Sequence, residues 1–246
     1  IDRETAASYN ITVRATSTDT STTTRVFTIA IGDVNEFAVG PVSDTNASAN
    51  SVAENATIGT VVGITAFAQD LDATNNTISY TLDDNAGGRF AIDSVTGVVT
   101  VAGALDYETA TTHNITVRAA SNDGSFSTQV FSINVTDVNE FAVTTPVDNN
   151  PAANNVDENA ANGTVVGVTA YAFDADGTNN TVSYSLFDNA GGRFTIHAVT
   201  GVVTVAGAID REAAGTYNIT VRATSTDTST VTRVFTITIG DVNEFS

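Results

Sequence analysis

Cysteine, methionine, tryptophan and lysine are absent from this chain of 246 residues. Without cysteine there can be no disulfide and no thiolate metal ligand, so the fold must be held by its core or by some other clamp. Basic residues are scarce: nine arginines stand against 28 aspartates and glutamates, a formal charge of −19. That balance excludes nucleic acid as a partner, because phosphate binding needs clustered cations. It makes a cation the natural counterpart. Charged residues are nevertheless only 15% of the chain and apolar ones 41%, so this is a core-forming sequence and not a disordered acidic tail. No apolar run is long enough to span a membrane, and no secretory signal is present. The chain has no initiating methionine and opens on Ile-Asp-Arg-Glu, which recurs at 209–212; it reads as a window on something longer.

What is present is repetition. Asp-Val-Asn-Glu-Phe begins at Asp33, Asp137 and Asp241, a spacing of 104 residues each time. Asn-Ile-Thr-Val-Arg-Ala keeps the same period from Asn10, Asn114 and Asn218, and residues 1–36 match 209–244 almost letter for letter. A period near a hundred is too long for a solenoid unit of about 20–45 residues and suits a small domain. The expected divisions are a C-terminal domain fragment of two strands at 1–36 and complete repeats at 37–140 and 141–246.

Within a repeat the pattern is β throughout. Tyr217, Ile219, Val221 and Ala223 alternate with polar neighbours, as do Phe235, Ile237 and Ile239, and Val182, Tyr184 and Leu186. Such period-two runs, rich in Thr, Val and Ile and separated by clusters such as Asp188-Asn189-Ala190-Gly191-Gly192, read as half-buried strands joined by turns. About seven strands per repeat, with no helical stripe, predict an all-β class of tandem seven-stranded, immunoglobulin-like sandwiches. The three prolines, Pro41, Pro146 and Pro151, all lie in 38–50 and 142–155, where a first edge strand and loop leave each repeat boundary.

The recurring acids fall in fixed places. Each complete repeat has an early Glu (Glu54, Glu158), an Asp-x-Asp pair (Asp70 and Asp72; Asp174 and Asp176) and an Asp-x-Glu pair (Asp106 and Glu108; Asp210 and Glu212). Each ends on Asp-x-Asn-Glu, and Asp123 and Asp227 recur as well. A surface acidic only for solubility would not need this spacing. The donors are all oxygens and lie among turn formers, which suits calcium with its six to eight oxygen ligands. Transition metals would want imidazole or thiolate, and neither His113 nor His197 recurs. Carboxylates could also serve acid–base catalysis, but repetition in every domain fits ligation and not a single catalytic cleft, so no enzyme is expected.

Val-Ala-Glu-Asn (52–55), Val-Asp-Glu-Asn (156–159), Ala-Phe-Asp-Ala-Asp-Gly-Thr-Asn-Asn (172–180), Leu-Asp-Tyr-Glu (105–108), Ile-Asp-Arg-Glu (1–4, 209–212) and the terminal Asp-Val-Asn-Glu resemble cadherin repeats of the prokaryotic adhesin type. The resemblance covers both complete repeats and the opening fragment. It implies Greek-key sandwiches with calcium ions at each junction. For the middle junction it implies Glu54, Asp106, Glu108, Asp137, Asn139 and Glu140, with backbone oxygens of Val138 and Phe141, then Asp174, Asp176, Asp227 and the carbonyl of Asn179. For the first it implies Asp2, Glu4, Asp33, Asn35 and Glu36 with Asp70, Asp72, Asn75 and Asp123. At the end Glu158, Asp210, Glu212, Asp241, Asn243 and Glu244 would await a following domain. Two features depart from the family pattern. The linker has Glu140 and Phe141 where an Asp and an Asn are usual, and the loops bearing Asp123 and Asp227 are one residue longer.

The resemblance implies a calcium-stiffened segment of a large extracellular adhesin or surface fibre, with neighbouring repeats, like chains or surface glycans as partners. The alternative is a carbohydrate- or protein-binding module using exposed aromatics, for which Phe67, Tyr171 and Phe126 are the candidates; Phe131, Phe235 and Tyr217 fall on core faces. With no tryptophan, adhesion by exchange of a Trp-anchored first strand is unavailable.

Overall fold

The computed structural model describes residues 1–243. It divides into two compact units, 1–136 and 137–246, both of strands and turns without helix among the described residues.

The first unit opens with a hairpin, β1 (Ser8–Thr16) and β2 (Thr22–Ala30), paired antiparallel from Ser8↔Ala30 to Thr16↔Thr22. A sandwich follows: β3 (Ser43–Asp44), β4 (Ser51–Ala53), β5 (Val61–Phe67), β6 (Ile78–Asp84), β7 (Phe90–Ile92), β8 (Val98–Val101), β9 (Thr112–Ser121) and β10 (Phe126–Thr136). One sheet has the order β4-β10-β9-β6 and the other β3-β5-β8-β7. The count of seven becomes eight because the first edge strand is divided, β3 joining one sheet and β4 the other. Asp44 fixes the division: its Oδ1 accepts from Asn46 N at 2.9 Å and from Thr65 N at 3.0 Å. The chain then passes so close to β5 that a Cβ at Gly63 would lie 2.2 Å from the Ala49 carbonyl oxygen, and Gly63 has φ +86, which only glycine adopts without strain.

The second unit repeats the plan. Its strands are β11 (Val147–Asp148), β12 (Asn155–Asp157), β13 (Val165–Tyr171), β14 (Val182–Asp188), β15 (Phe194–Ile196), β16 (Val202–Val205), β17 (Thr216–Ser225) and β18 (Thr230–Gly240). The sheets run β12-β18-β17-β14 and β11-β13-β16-β15. The alternating residues read from the sequence point inward as their period demands: Ile219, Val221 and Ile237 are fully buried against Val166, Val203 and Phe194.

The same face of β1–β2 has no second sheet over it among the described residues. Ile11, Val13, Phe27 and Ile29 are 44–49% exposed, whereas their repeat equivalents Ile219, Val221, Phe235 and Ile237 are 0–6% exposed. An isolated hairpin is marginal in water, and these side chains form an apolar face that the complete repeat buries.

Candidate metal sites at the ends of the repeats

In the first unit the irregular segment after β2 brings two acidic sets to one end of the sandwich. Glu4, Asp33 and Glu36 form one, with a carboxylate oxygen of each within 4.8 Å of the others, and Asp70, Asp72 and Asp123 form the second. The segment 33–37 is tied down by backbone and side-chain bonds. Asp72 Oδ1 accepts from Glu36 N at 2.9 Å and from Phe37 N at 3.3 Å. Asp33 Oδ2 accepts from Thr74 N at 3.1 Å and also from the Thr74 hydroxyl. Glu4 Oε1 accepts from Ala73 N at 3.0 Å, and Asn35 Nδ2 donates to Asp123 Oδ2 at 3.0 Å.

Burial makes this arrangement unusual. Asp70 is 9% and Asp72 2% exposed, in an aspartate pair that a protein rarely buries without compensation. Yet Asp70 Oδ2 and Asp33 Oδ1 are buried without a hydrogen-bond partner. The Ala73 N–H pulls the Glu4 pKa down, but burial and the neighbouring Asp2 and Asp33 carboxylates outweigh it, so Glu4 is raised. Asp33 is lowered, first by the Thr74 hydroxyl. Like charges at 4 Å repel by about 1 kcal/mol in water and about 4 kcal/mol at an effective dielectric of 20. A divalent cation reverses that sign.

Asp2 neighbours the first of these sets through Glu4. Its Oδ1 accepts from Glu4 N at 2.9 Å and its Oδ2 from the Thr5 hydroxyl at 2.8 Å, and the Thr5 hydroxyl leads the bonds that lower its pKa. Asp106 and Asp210 make the same turn, accepting from Thr109 N at 2.8 Å and Ala213 N at 2.9 Å. Asn75 adopts φ +53 and its carbonyl accepts from the Ser121 hydroxyl at 2.8 Å.

The second unit rebuilds the receiving set from Asp174, Asp176 and Asp227, within the same 4.8 Å. Asp174 is 8% and Asp176 1% exposed, and one oxygen of each is buried without a partner, as is Asp137 Oδ1. Asp176 Oδ1 accepts from Glu140 N at 3.0 Å and Phe141 N at 3.1 Å, and Asp137 Oδ2 from Thr178 N at 2.9 Å. The pKa of Asp227 is lowered, first by the Ser229 hydroxyl and further by the Asn139 side chain. Asn179 carries φ +54, and its carbonyl accepts from the Ser225 hydroxyl at 3.0 Å.

At the far end Glu158, Glu212 and Asp241 form a further set. Glu158, 2% exposed, accepts from Val242 N and Arg211 N, each at 2.7 Å, and these bonds lower its pKa. Glu212 is raised: the bond from its own N–H pulls down, and burial with the charges of Glu158 and Asp210 outweighs it. Asn243 is exposed, and Glu244 lies outside the described residues. Glu54, at the repeat position of Glu158, accepts from Tyr107 N at 2.6 Å.

The sequence did not single out Thr74 and Thr178, whose hydroxyls and N–H groups hold Asp33 and Asp137. Nor did it single out Ser125 and Ser229, whose hydroxyls accept from Val39 N at 3.0 Å and Val143 N at 2.9 Å. Their recurrence at the 104-residue period was the available signal. Phe67, Tyr171 and Phe126 are exposed as expected, at 43%, 49% and 55%, though the Arg118 guanidinium lies over the Phe126 ring at 4.0 Å.

Oxygen-only donor sets, buried aspartate oxygens without partners, and linkers threaded across the end of a Greek-key sandwich together define a class of tandem β-sandwich repeat with acidic ends. The cadherin domain model matches residues 49–136 and 153–240, and the chain belongs to the cadherin family. It is 34% identical to human protocadherin Fat 4 over 268 aligned positions, covering 100% of this chain and 5% of that protein. It is 33% identical to human cadherin-23, covering 91% of this chain and 7% of that protein. Among solved structures, the extracellular domain of protocadherin gammaB4 matches 99% of this chain and 39% of its own at 25% identity and TM-score 0.83. Mouse cadherin-23 EC22-24 matches 98% and 77% at 29% identity and TM-score 0.74. The chain thus spans a small fraction of these curated relatives' length. They are animal proteins and lend no support to the narrower prokaryotic resemblance.

Proposed function

We propose that this chain is a calcium-binding, calcium-rigidified repeat segment of a large extracellular adhesion protein or surface fibre, without enzymatic activity. The observation that carries the reading is the set of aspartate oxygens, Asp70 Oδ2, Asp174 Oδ2 and Asp176 Oδ2, buried without a partner inside clusters of carboxylates. A calcium ion satisfies such oxygens and cancels their mutual repulsion, and among the described residues no ion pair does so; Arg118–Asp83 lies elsewhere. Glu4, Asp33, Asn35 and Glu36 with Asp70, Asp72, Asn75 and Asp123 supply one site. Asp2 takes part through the turn that presents Glu4. By repeat equivalence the same roles pass to Glu54, Asp106 and Glu108 in one repeat. In the next they pass to Asp137, Val138, Asn139, Glu140, Phe141, Asp174, Asp176, Asn179 and Asp227. Glu158, Asp210, Glu212, Asp241, Asn243 and Glu244 are the donors toward a following repeat.

Family membership supports the adhesive role and the extracellular location. The bacterial form of that role rests on the sequence strings alone, and calcium binding does not depend on it. The alternative of a carbohydrate-binding face draws on Tyr171, whose ring lies beside Phe173 with centroids 6.5 Å apart. Calorimetric titration separates the two readings. Calcium should bind with several ions per chain, and Asp72→Asn and Asp176→Asn should each lose part of the heat. No calcium heat up to millimolar concentrations, or saturable heat with free sugars in chelator, would overturn the calcium reading in favour of the other.

A further inference from the structure

Asp33 and Asp137 use their carboxylate oxygens in the same way. In each, Oδ2 takes two donors from one threonine: the N–H of Thr74 at 3.1 Å or of Thr178 at 2.9 Å, together with that threonine's hydroxyl. In each, Oδ1 is buried without a hydrogen-bond partner. A carboxylate oxygen has about two lone-pair sites, so Oδ2 is filled by protein and Oδ1 is left whole.

The threonines differ from the other hydroxyls that meet acidic residues here. Thr5 and Thr109 donate to Asp2 and Asp106, but from three positions away within one turn. Thr74 and Thr178 each reach an aspartate 41 residues earlier. Both sit two residues beyond an almost fully buried aspartate, Asp72 or Asp176. Between the repeats Leu71 and Ala73 are exchanged for Ala175 and Gly177, whereas the threonine stays. Both threonines are exposed, so neither side chain fills the core. A surface hydroxyl so placed acts on the carboxylate and contributes little to packing.

We propose that Thr74 and Thr178 are positioning residues for metal binding: each takes up Oδ2 of the linker aspartate and so presents Oδ1 alone to the ion. This rests on the calcium reading above. Asp33 and Asp137 then ligate through one oxygen each, whereas a carboxylate free to turn can offer calcium both. Hydrogen-bond partners of this kind fix the orientation of a metal-ligating carboxylate, and the metal's affinity depends on them.

The test is calorimetric calcium titration of the whole chain beside Thr74→Val and Thr74→Ser, with thermal unfolding of each in chelator. Thr74→Val keeps the shape and the N–H and removes the hydroxyl. It should weaken one class of sites by about tenfold, the low end of the cost of removing a group that orients a metal ligand. Thr74→Ser should restore the parent's affinity. In an Asp33→Asn background Thr74→Val should weaken binding no further, because the threonine acts through that carboxylate. All three chains should melt together in chelator, which a merely structural role for the hydroxyl would not give. Equal affinity of the parent and Thr74→Val, failure of Thr74→Ser to restore it, or a loss of stability in chelator that accounts for the weaker binding would overturn the proposal. Absence of calcium uptake by the parent chain would instead overturn the calcium reading on which it stands.

Discussion

Asp157 and Gly240 face each other across the parallel pairing of β12 and β18, and a Cβ on Gly240 would fall 2.1 Å from Asp157 Oδ1. One repeat earlier the same pair is Ala53 and Thr136. A small residue on one strand has been exchanged for a small residue on the other, so the two positions share one space. Gly240→Thr should therefore be worse tolerated beside Asp157 than in the Asp157→Ala background. A double-mutant cycle on thermal unfolding in chelator should give a coupling within the range of about 0.5–3 kcal/mol seen for residues in contact. Additive effects would mean that the aspartate turns away at no cost.

Tyr184 reaches across the core so that its hydroxyl accepts from Ala172 N at 2.8 Å and donates to Ala172 O at 3.2 Å. Its counterpart Tyr80 accepts from Ala68 N at 3.1 Å. These bonds fix the end of β13 and β5, from which the Asp-x-Asp pairs extend. Tyr184→Phe leaves a buried N–H unpaired and should cost about 1–3 kcal/mol. Denaturant unfolding of the second unit measures it, and calcium affinity should fall with it because Asp174 lies two residues beyond Ala172.

His113 occupies the place held by Tyr217 in the third repeat. Its ring meets Phe90 edge-on with centroids 6.0 Å apart, and its Nε2 is buried without a partner. Burial first, and then the charge of Arg89, holds its pKa below the usual histidine value. Because the folded state binds this proton less readily than the unfolded chain, the associated stability is present above about pH 6.5 and declines as the pH falls below it. Tyr217 instead takes the Arg193 guanidinium over its ring at 4.8 Å. His113→Tyr should raise the melting temperature of the first unit at pH 5.5 by on the order of a few degrees more than at pH 7.5. An equal change at both values would show that the imidazole does not titrate in this range.

Much of this was readable before any coordinates. The 104-residue period and the alternation of Ile219, Val221, Ile237 and their neighbours fix the strands and their inward faces, because a strand's two faces are set by period alone. The acids that recur at one place per repeat converge, even Asp123 and Asp227 in their lengthened loops. What was hidden depends on contacts between distant positions. The hydroxyl of Thr74 meets Asp33 across 41 residues, and no local pattern distinguishes it from the other threonines of a Thr-rich chain. The division of the first strand rests on Asp44 meeting Thr65 and on the bare backbone of Gly63. The turns in which Asp2, Asp106 and Asp210 accept backbone N–H groups two and three residues on were likewise not singled out by the spacing of the acids.

The central claim is that calcium holds the linkers 33–37 and 137–141 to the acidic sets, while the sandwich cores, built from Ile115, Val117 and Ile133 and from Ile219, Val221 and Ile237, stand without it. Amide hydrogen exchange with calcium and with chelator measures both at once. The N–H groups of Glu36, Phe37, Thr74, Glu140, Phe141 and Thr178, all bonded to aspartates of the sets, should exchange slowly in calcium and at least tenfold faster in chelator, about 1.4 kcal/mol of lost protection. Those of β9, β10, β17 and β18 should hold their rates in both. Linker amides that exchange equally fast with and without calcium would contradict the account.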